Sequence, residues 1–219
     1  MIAKKLVREV PVVALSTSGL VAMSLMDELK LVHLPVVSRD ACEGVVSEAM
    51  LFSMADPEQS LQEGGIVPEK LCVSDVQHVY EIAQVFIENQ LSLLPVVDPQ
   101  QQYQGCIVHS DLLKHLGEFS SVCEPGGIIV LEVGERDYSL QQIAGIVESN
   151  DARILSVQTA TQADSTRMEV TLKLNKMDLR PVLQTFDRFN YQVSASFQEA
   201  EYEDSLKERY DSLMNYLKL

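Results

Sequence analysis

The sequence predicts a protein of mixed α/β class (α+β). It consists of two βαββα repeats, a βαββαβ domain and a C-terminal helix. Two observations indicate this fold. The heptapeptide "LVHLPVV" at 31–37 recurs as "LSLLPVV" at 91–97, and after residue 127 the pattern changes to alternating strands around two amphipathic helices. The predicted units are the first repeat at 1–55, a linker at 56–70, the second repeat at 71–121, the βαββαβ domain at 127–199 and the terminal helix at 200–219.

Each repeat has the same predicted elements. A Pro presets φ at the start of an apolar strand, and a polar turn follows the strand. Gly44 or Gly105 then opens a second strand, and a short helix ends the repeat. The helix before the strand is predicted from apolar residues spaced by three and four, which are Leu20, Met23 and Met26 in the first repeat and Val79, Ile82, Ala83 and Phe86 in the second.

This order of elements resembles the cystathionine-β-synthase (CBS) domain, which occurs as tandem pairs packed into one module. The resemblance covers Val12 to Phe119 and rests on the helix, the Leu-Pro-Val-Val strand and the Gly-led strand. It implies a regulatory module whose clefts bind adenine nucleotides. The effectors it implies are AMP, ATP or S-adenosylmethionine.

The family pattern implies where a nucleotide would bind. In nucleotide-binding members, a Ser or Thr three residues after the Gly contacts phosphate, and an Asp six residues after it contacts the ribose. The first repeat has Ser47 but Met50 in these places, whereas the second has Val108 and Asp111. Asp111 is a ribose acceptor or a helix N-cap, Ser47 is a phosphate donor or a structural strand-end residue, and His109 is a phosphate contact or an ordinary surface histidine. Pro35 and Pro95 complete the candidate nucleotide site.

The pattern after residue 127 predicts a sheet with two helices. "IIVLEVG", "ARILSVQTA", "RMEVTLKL" and "QVSASF" are predicted strands, and the helices fall in "SLQQIAGIVESN" and "DLRPVLQTFDRF". This ferredoxin-like order resembles the ACT domain, which binds amino acids or pairs with another copy. Ligand-binding members carry Asp-x-Pro-Gly before the first helix. Here Asp137 keeps the Asp, while Ser139, in the place of the Gly, is an amino-acid contact or a helix N-cap.

The last residues carry one apolar helical stripe. It packs on its own chain or on a partner chain. Its members are Tyr202, Leu206, Tyr210, Leu213 and Leu217.

The composition bounds the function. A net charge of −15 disfavours binding to nucleic acid and to anionic membranes. No signal peptide or spanning segment is found, so a cytoplasmic location is expected. The four cysteines form no CxxC and are predicted to be reduced, structural thiols.

The sequence contains no HExxH, GxSxG, GxGxxG or clustered metal-binding pattern, so a catalytic role and a bound metal are not expected. The domain order resembles that of the acetoin-utilisation regulatory proteins. We therefore predict a homodimeric, non-catalytic sensor that signals to a regulated protein partner. The alternatives are an interaction protein whose sites are degenerate and an enzyme whose site is assembled only by folding.

Overall fold

The computed structural model describes residues 2–161 and 166–197 of the 219-residue chain. The predicted C-terminal helix and part of the turn before the third strand of the βαββαβ domain lie outside these residues. The chain divides into two compact units, Met1–Leu116 and Gly117–Leu219. The predicted α+β class is confirmed, with nine strands and six α-helices among the described residues.

The first unit contains both repeats. Its elements in chain order are α1 (Gly19–Leu29), β1 (His33–Ser38), β2 (Ala41–Ser47), α2 (Glu48–Phe52), β3 (Val73–Ser74), α3 (Val79–Asn89), β4 (Leu93–Val97), β5 (Tyr103–Val108) and α4 (His109–Phe119), whose last residues belong to the second unit. The second unit continues with β6 (Ile128–Gly134), α5 (Leu140–Glu148), β7 (Ile154–Thr161), β8 (Arg167–Leu174), α6 (Arg180–Arg188) and β9 (Gln192–Phe197).

The two repeats share hydrogen bonding as well as sequence. β1 pairs with β2 and β4 with β5, both antiparallel. The first strand of each repeat is parallel to the Leu-Pro-Val-Val strand: β3 joins Val73 to Val96, and an isolated bridge joins Val13 to Val36. Both long helices end in a left-handed residue, Lys30 or Gln90, which turns the chain into the strand. The predicted duplication is therefore confirmed at the level of the backbone.

The sequence predicts that the two glycines open the second strands, but the structure shows that they do not. β2 begins at Ala41 and β5 at Tyr103, so both glycines lie inside their strands. Gly44 has φ +126° and Gly105 has φ +129°, each next to a register shift in its hairpin. A side chain is excluded there because an added Cβ would lie 2.0 Å from the Glu69 carbonyl oxygen at Gly44 and 2.7 Å from that of Arg8 at Gly105.

This close approach results from an exchange of segments between the repeats. Arg8, in the first repeat, bridges to Cys106 of the second repeat. Glu69, ahead of the second repeat, bridges to Val45 of the first. The hairpin of each repeat thus pairs with backbone that lies just ahead of the other repeat's first strand. The polar 56–70 segment packs on the first repeat, where Leu61 is fully buried and its N–H donates to Thr17.

The helices bury most of the predicted faces. Val79, Ile82 and Phe86 of α3 are buried as predicted. In α1 the buried residues are Gly19, Ala22 and Met26, whereas Leu20 is 49% exposed. Leu20, predicted in the apolar stripe of this helix, lies outside its buried face, which is formed by residues spaced by three and four from Gly19.

The second unit is a four-stranded antiparallel sheet in the order β7-β8-β6-β9. Alternate residues of β6 and β8 are buried, among them Leu131, Val170 and Leu172. They pack with residues of α5 and α6 in one core, which contains Ile143, Val182 and Phe186. The face opposite this core carries the polar side chains of β8 and β9 together with Ile128, Val130 and Glu132 of β6. The predicted ferredoxin-like order is confirmed.

Candidate functional site

Asp111 lies in the first turn of α4, where a carboxylate is favoured by the helix dipole. It does not cap the helix, because α4 begins two residues earlier, at His109. Its Oδ2 instead lies 3.2 Å from Nη1 of Arg8, and both side chains are partly exposed. The sequence analysis missed Arg8. No local sequence signal identifies Arg8, because the bridge between Arg8 and Cys106 joins residues that are distant in sequence.

His109 does not join this pair. Positions i and i+2 on a helix do not face each other, and the His109 ring instead contacts Ser92, the residue before β4. Its Nδ1 lies 3.0 Å from the Ser92 carbonyl oxygen, which also accepts the His109 N–H at 3.1 Å. Since a carbonyl oxygen only accepts, the His109 Nδ1 carries a proton.

Ser92 connects the two repeats. Its N–H donates to Nδ1 of His33 at 3.2 Å, and its hydroxyl lies 3.1 Å from the same atom. The hydroxyl also accepts the Val32 N–H at 3.2 Å. A ring nitrogen that accepts an N–H carries no proton, so His33 is held as the tautomer protonated at Nε2. Desolvation lowers the pKa of His33, while the charge of Glu69 opposes this effect.

His33 and Ser92 occupy the two positions at which the heptapeptides differ. "LVHLPVV" has Val32 and His33 where "LSLLPVV" has Ser92 and Leu93. Ser92 is 7% exposed and is the buried polar residue of the described chain. Since a buried polar group needs a partner, the two departures from the repeat compensate each other.

Ser47 caps a helix. Its Oγ accepts the Met50 N–H at 3.3 Å, so the hydroxyl stabilises the start of α2. Ser47 also pairs across the hairpin with His33. Pro35 and Pro95 are buried within β1 and β4, where the Pro35 carbonyl accepts the Val13 N–H. A nucleotide contact by Ser47, Pro35 or Pro95 stays a prediction.

The second unit contains the other candidates. Ser139 caps α5 by accepting the Gln142 N–H at 3.3 Å, which confirms its capping role. Asp137 lines an open cavity of about 520 Å³ at the carboxyl end of β6. Amino-acid binding by Asp137 and Ser139 stays a prediction.

Two of the thiols are poor nucleophiles. Burial raises the pKa of Cys42 to about 11 and that of Cys106 to about 12. Both stay protonated at neutral pH, and nucleophilic attack needs the thiolate. All four cysteines are free.

Within residues 2–161 and 166–197, no group of three or more His, Cys, Asp or Glu residues is placed to hold a metal ion. No helix of this described part is long and apolar enough to cross a membrane.

The second repeat matches a known family. Residues 66–118 match the family model of the CBS domain. Asp111 lies near the end of this matched segment, and its partner Arg8 lies outside it.

Solved structures similar to this chain include CBS-domain proteins. A CBS domain pair/ACT domain protein from Thermotoga maritima is 25% identical, and the match covers 54% of this chain and 98% of that one with a TM-score of 0.49. CBSX2, a protein of Arabidopsis thaliana solved in complex with AMP, is 23% identical over 53% and 96% of the two chains, with a TM-score of 0.46. A CBS domain pair in complex with 5-methylthioadenosine and S-adenosyl-L-methionine is 19% identical over 54% and 97%, with a TM-score of 0.44.

Proposed function

We propose that this protein is a non-catalytic sensor that binds an adenine nucleotide beside the Arg8–Asp111 pair of its CBS domain. The observation that carries the proposal is this pair, whose side-chain atoms lie 3.2 Å apart at the start of α4. A carboxylate accepts hydrogen bonds from two ribose hydroxyls, and a guanidinium donates to phosphate in a bidentate manner. Arg8 thus supplies the phosphate donor that Val108 does not provide.

The pair is available to a ligand. Its side chains are 48% and 37% exposed, and ion pairs of that exposure contribute at most about 1 kcal/mol. A nucleotide therefore separates the two charges at small cost and gives each a new partner.

The first repeat has different chemistry at the corresponding positions. Met50 stands in the place of Asp111, and Glu69 in the place of Arg8. Met50 accepts no hydroxyl, and a carboxylate repels phosphate. We infer that the first repeat does not bind a nucleotide in the same way and that one nucleotide binds per chain.

Signalling would pass through the contact between the repeats. Ser92 bonds His33 of the first repeat and His109 at the start of α4. A ligand that shifts α4 would act on this contact, provided that it prefers one arrangement of the repeats. The domain limits predicted from the sequence, the ACT-like signalling role and the likeness to acetoin-utilisation regulators belong to the same proposal.

We also propose that the protein forms a homodimer through exposed helix faces of the first unit. An open apolar groove of about 440 Å³ lies along α3 and reaches Leu116 of α4. Tyr80 and Ile87 line the groove and are 59% and 77% exposed. The first repeat exposes Leu20 where the second exposes Tyr80. Because both repeats present the same apolar face, a second copy of this chain can bury both in a closed, symmetric contact.

Calorimetric titration of the full chain with AMP, ATP and S-adenosylmethionine tests the sensor. We expect one site per chain, and Asp111→Asn should weaken binding about tenfold or more because it removes the charged ribose acceptor. Asp27→Asn is the matched control, since it also removes an exposed ion pair, that with Lys30, but lies on α1. It should bind as the wild type does.

If none of the three nucleotides binds, the sensor proposal is wrong, and the interaction protein with degenerate sites takes its place. An equal loss of nucleotide affinity in Asp111→Asn and Asp27→Asn would show that the net charge of the protein, and not this site, governs binding.

A further inference from the structure

The outer face of the sheet in the second unit, which lies opposite its core, carries one apolar block. Ile128 and Val130 of β6 pair with Phe197 and Ala195 of β9, and directly paired residues point to the same side of a sheet. Ile129, between Ile128 and Val130, is fully buried in the core, so its two neighbours point to the outer face. We call Ile128, Val130, Ala195 and Phe197 the outer patch.

The outer patch is accessible and has a polar border. Phe197 is 59% exposed, and Ile128 and Val130 are half-buried. Thr171 and Lys173 of β8 pair with Val130 and Ile128, so the face turns polar toward β7. A sheet face that only meets water is polar along every strand, whereas an apolar block with a polar border marks a surface that another segment covers.

A crevice of about 130 Å³ extends the outer patch toward β7. Ile128 of the patch and Val122, from the segment before β6, form its apolar part. Val122 is 66% exposed and continues the apolar surface beyond the sheet. Lys173 Nζ donates to the Gly126 carbonyl oxygen at 2.8 Å, which ties this segment to β8. The crevice therefore offers a fixed recess beside the patch for one apolar side chain.

The chain contains a segment whose apolar face matches the outer patch. The predicted helix 200–219 carries its apolar residues in one stripe, from Tyr202 to Leu217. At about 1.5 Å per residue, a helix of this length covers about 22 Å. Four strands about 4.8 Å apart measure about 14 Å from the first strand axis to the last. The stripe is thus long enough to cross the whole face.

The end of β9 brings this segment to the outer patch. β9 ends at Phe197, which is itself a member of the patch. The chain from Phe197 to Tyr202 spans at most about 18 Å when fully extended. A segment tethered this closely has an effective concentration in the millimolar range, whereas a second copy must lose translational freedom to reach the same place. The occupant that this geometry favours is the protein's own C-terminal segment.

The charges of the two surfaces are complementary. The residues between Phe197 and Leu206 include acidic side chains and no Lys or Arg. The acidic ones are Glu199, Glu201, Glu203 and Asp204. Lys173 lies in the same row of the outer face as Ile128 and Phe197. Its ammonium group has three donors, of which one is directed to the Gly126 carbonyl oxygen. Lys173 can therefore also hold the acidic start of the segment.

We propose that the apolar stripe of the predicted helix 200–219 packs on the outer patch of its own chain. The docked segment covers the apolar part of the outer face and keeps it from binding a partner. This docking is independent of the nucleotide proposal and of the proposed homodimer, both of which use residues of the first unit.

A single tryptophan reports whether the outer patch is covered, because the chain contains no Trp of its own. In Phe197→Trp the emission maximum should lie at a short wavelength, as for an indole removed from water. Adding Leu206→Asp and Leu213→Asp, which place charges in the stripe, should shift it to longer wavelength, since burying an unpaired carboxylate is costly. The same emission maximum with and without these two substitutions would overturn the proposal.

Two controls match this experiment. Ser212→Asp with Asn215→Asp adds the same charge on the polar side of the predicted helix and should leave the Phe197→Trp emission unchanged. A shift as large as that of the stripe substitutions would assign it to charge alone and overturn the proposal. Phe189→Trp, at a site 53% exposed and outside the patch, should not respond to the stripe substitutions. A shift there would show that they act on the whole unit and would overturn the assignment to the patch.

Mixing distinguishes the protein's own segment from that of a second copy. Phe197→Trp carrying both stripe substitutions is unfolded in urea together with an excess of wild-type chain, and the mixture is refolded. We expect the emission maximum to stay at the longer wavelength, because each patch is covered by its own chain. A return to the shorter wavelength would show docking between copies and overturn the proposal.

Discussion

The two repeats share a backbone but differ in the side chains that face the proposed ligand. The second repeat combines Asp111 with Arg8, whereas the first has Met50 and Glu69 in these places. In both, the long helix, the bulged hairpin and the buried glycine are retained. The comparison teaches that packing and ligand chemistry depend on different residues, so one repeat can keep its fold after its site has changed.

The hydrogen-bonded contact between His33 and Ser92 also depends on residues at which the two repeats differ. His33 has no polar counterpart in the second repeat, and Ser92 has none in the first. Ser92 is buried and His33 is half-buried, and the two side chains hydrogen-bond to each other. The repeats have thus become dependent on each other at their contact.

The largest effect is expected where the repeats are most alike. Gly44→Ala should destabilise the first unit by about 3 to 5 kcal/mol, since φ is positive and the Cβ would strike the Glu69 backbone. Gly105→Ala should cost about 2 to 3 kcal/mol, because the closest backbone atom, the Arg8 carbonyl oxygen, would lie 2.7 Å from the new Cβ rather than the 2.0 Å found at Gly44. Peptide-level hydrogen exchange in urea measures both. Gly65→Ala, where φ is positive but space is open, should cost only about 1 kcal/mol.

The contact between the repeats should give the next largest effect. His33→Leu or Ser92→Val alone should each destabilise the first unit by about 1 to 3 kcal/mol, since the first takes an acceptor from the buried Ser92 N–H and the second puts an apolar side chain against the half-buried His33 ring. The double variant should be less destabilised than the sum of the two, by about 0.5 kcal/mol or more. Urea unfolding of the four proteins gives this coupling energy. Strict additivity would mean that the contact contributes nothing.

Exchanging the charged residues of the two repeats at these positions should exchange their nucleotide-binding properties. Arg8→Glu gives the second repeat the acid of the first and should reduce nucleotide affinity at least about tenfold, or about 1.4 kcal/mol. Glu69→Arg with Met50→Asp should introduce a second, weaker site in the first repeat. Titration with AMP counts the sites. An unchanged single site in both variants would separate nucleotide binding from these positions.

The smallest effect is a dependence on pH. His33 has a pKa below its ordinary value of 6.5, because burial disfavours its charged form. The unfolded chain therefore binds a proton more readily, and the stability contributed by neutral His33 is complete above 6.5 and is lost as the pH falls below it. Urea unfolding at pH 7.5 and 5.5 measures this loss, which should be smaller in His33→Asn. Equal losses in both proteins would assign the effect to the other histidines.

Much of the fold could be predicted from the sequence. The heptapeptides, the apolar residues of α3 and the alternation in β8 are local patterns, and local patterns predict local elements. The helix-capping role of Ser139 was predictable for the same reason. The position of Gly44 within its strand was missed, since the cause is the Glu69 backbone, which is distant in sequence.

The sites were less predictable. Asp111 was identified from its position six residues after Gly105 in the sequence. Its partner Arg8 lies at the other end of the unit in sequence. Nothing local shows that residue 8 bridges to residue 106. The cavity around Asp137 likewise depends on strand register, which brings together Glu132, Arg167 and Gln192.

The sequence by itself determined that the protein contains a duplicated unit and an α+β domain after it, because periodicity and repetition are properties of the chain. It also determined that the two copies differ at Val32–His33 and Ser92–Leu93. Only the tertiary structure decided what those differences mean, since a hydrogen bond between His33 and Ser92 and an ion pair between Arg8 and Asp111 require the repeats to exchange segments and pack.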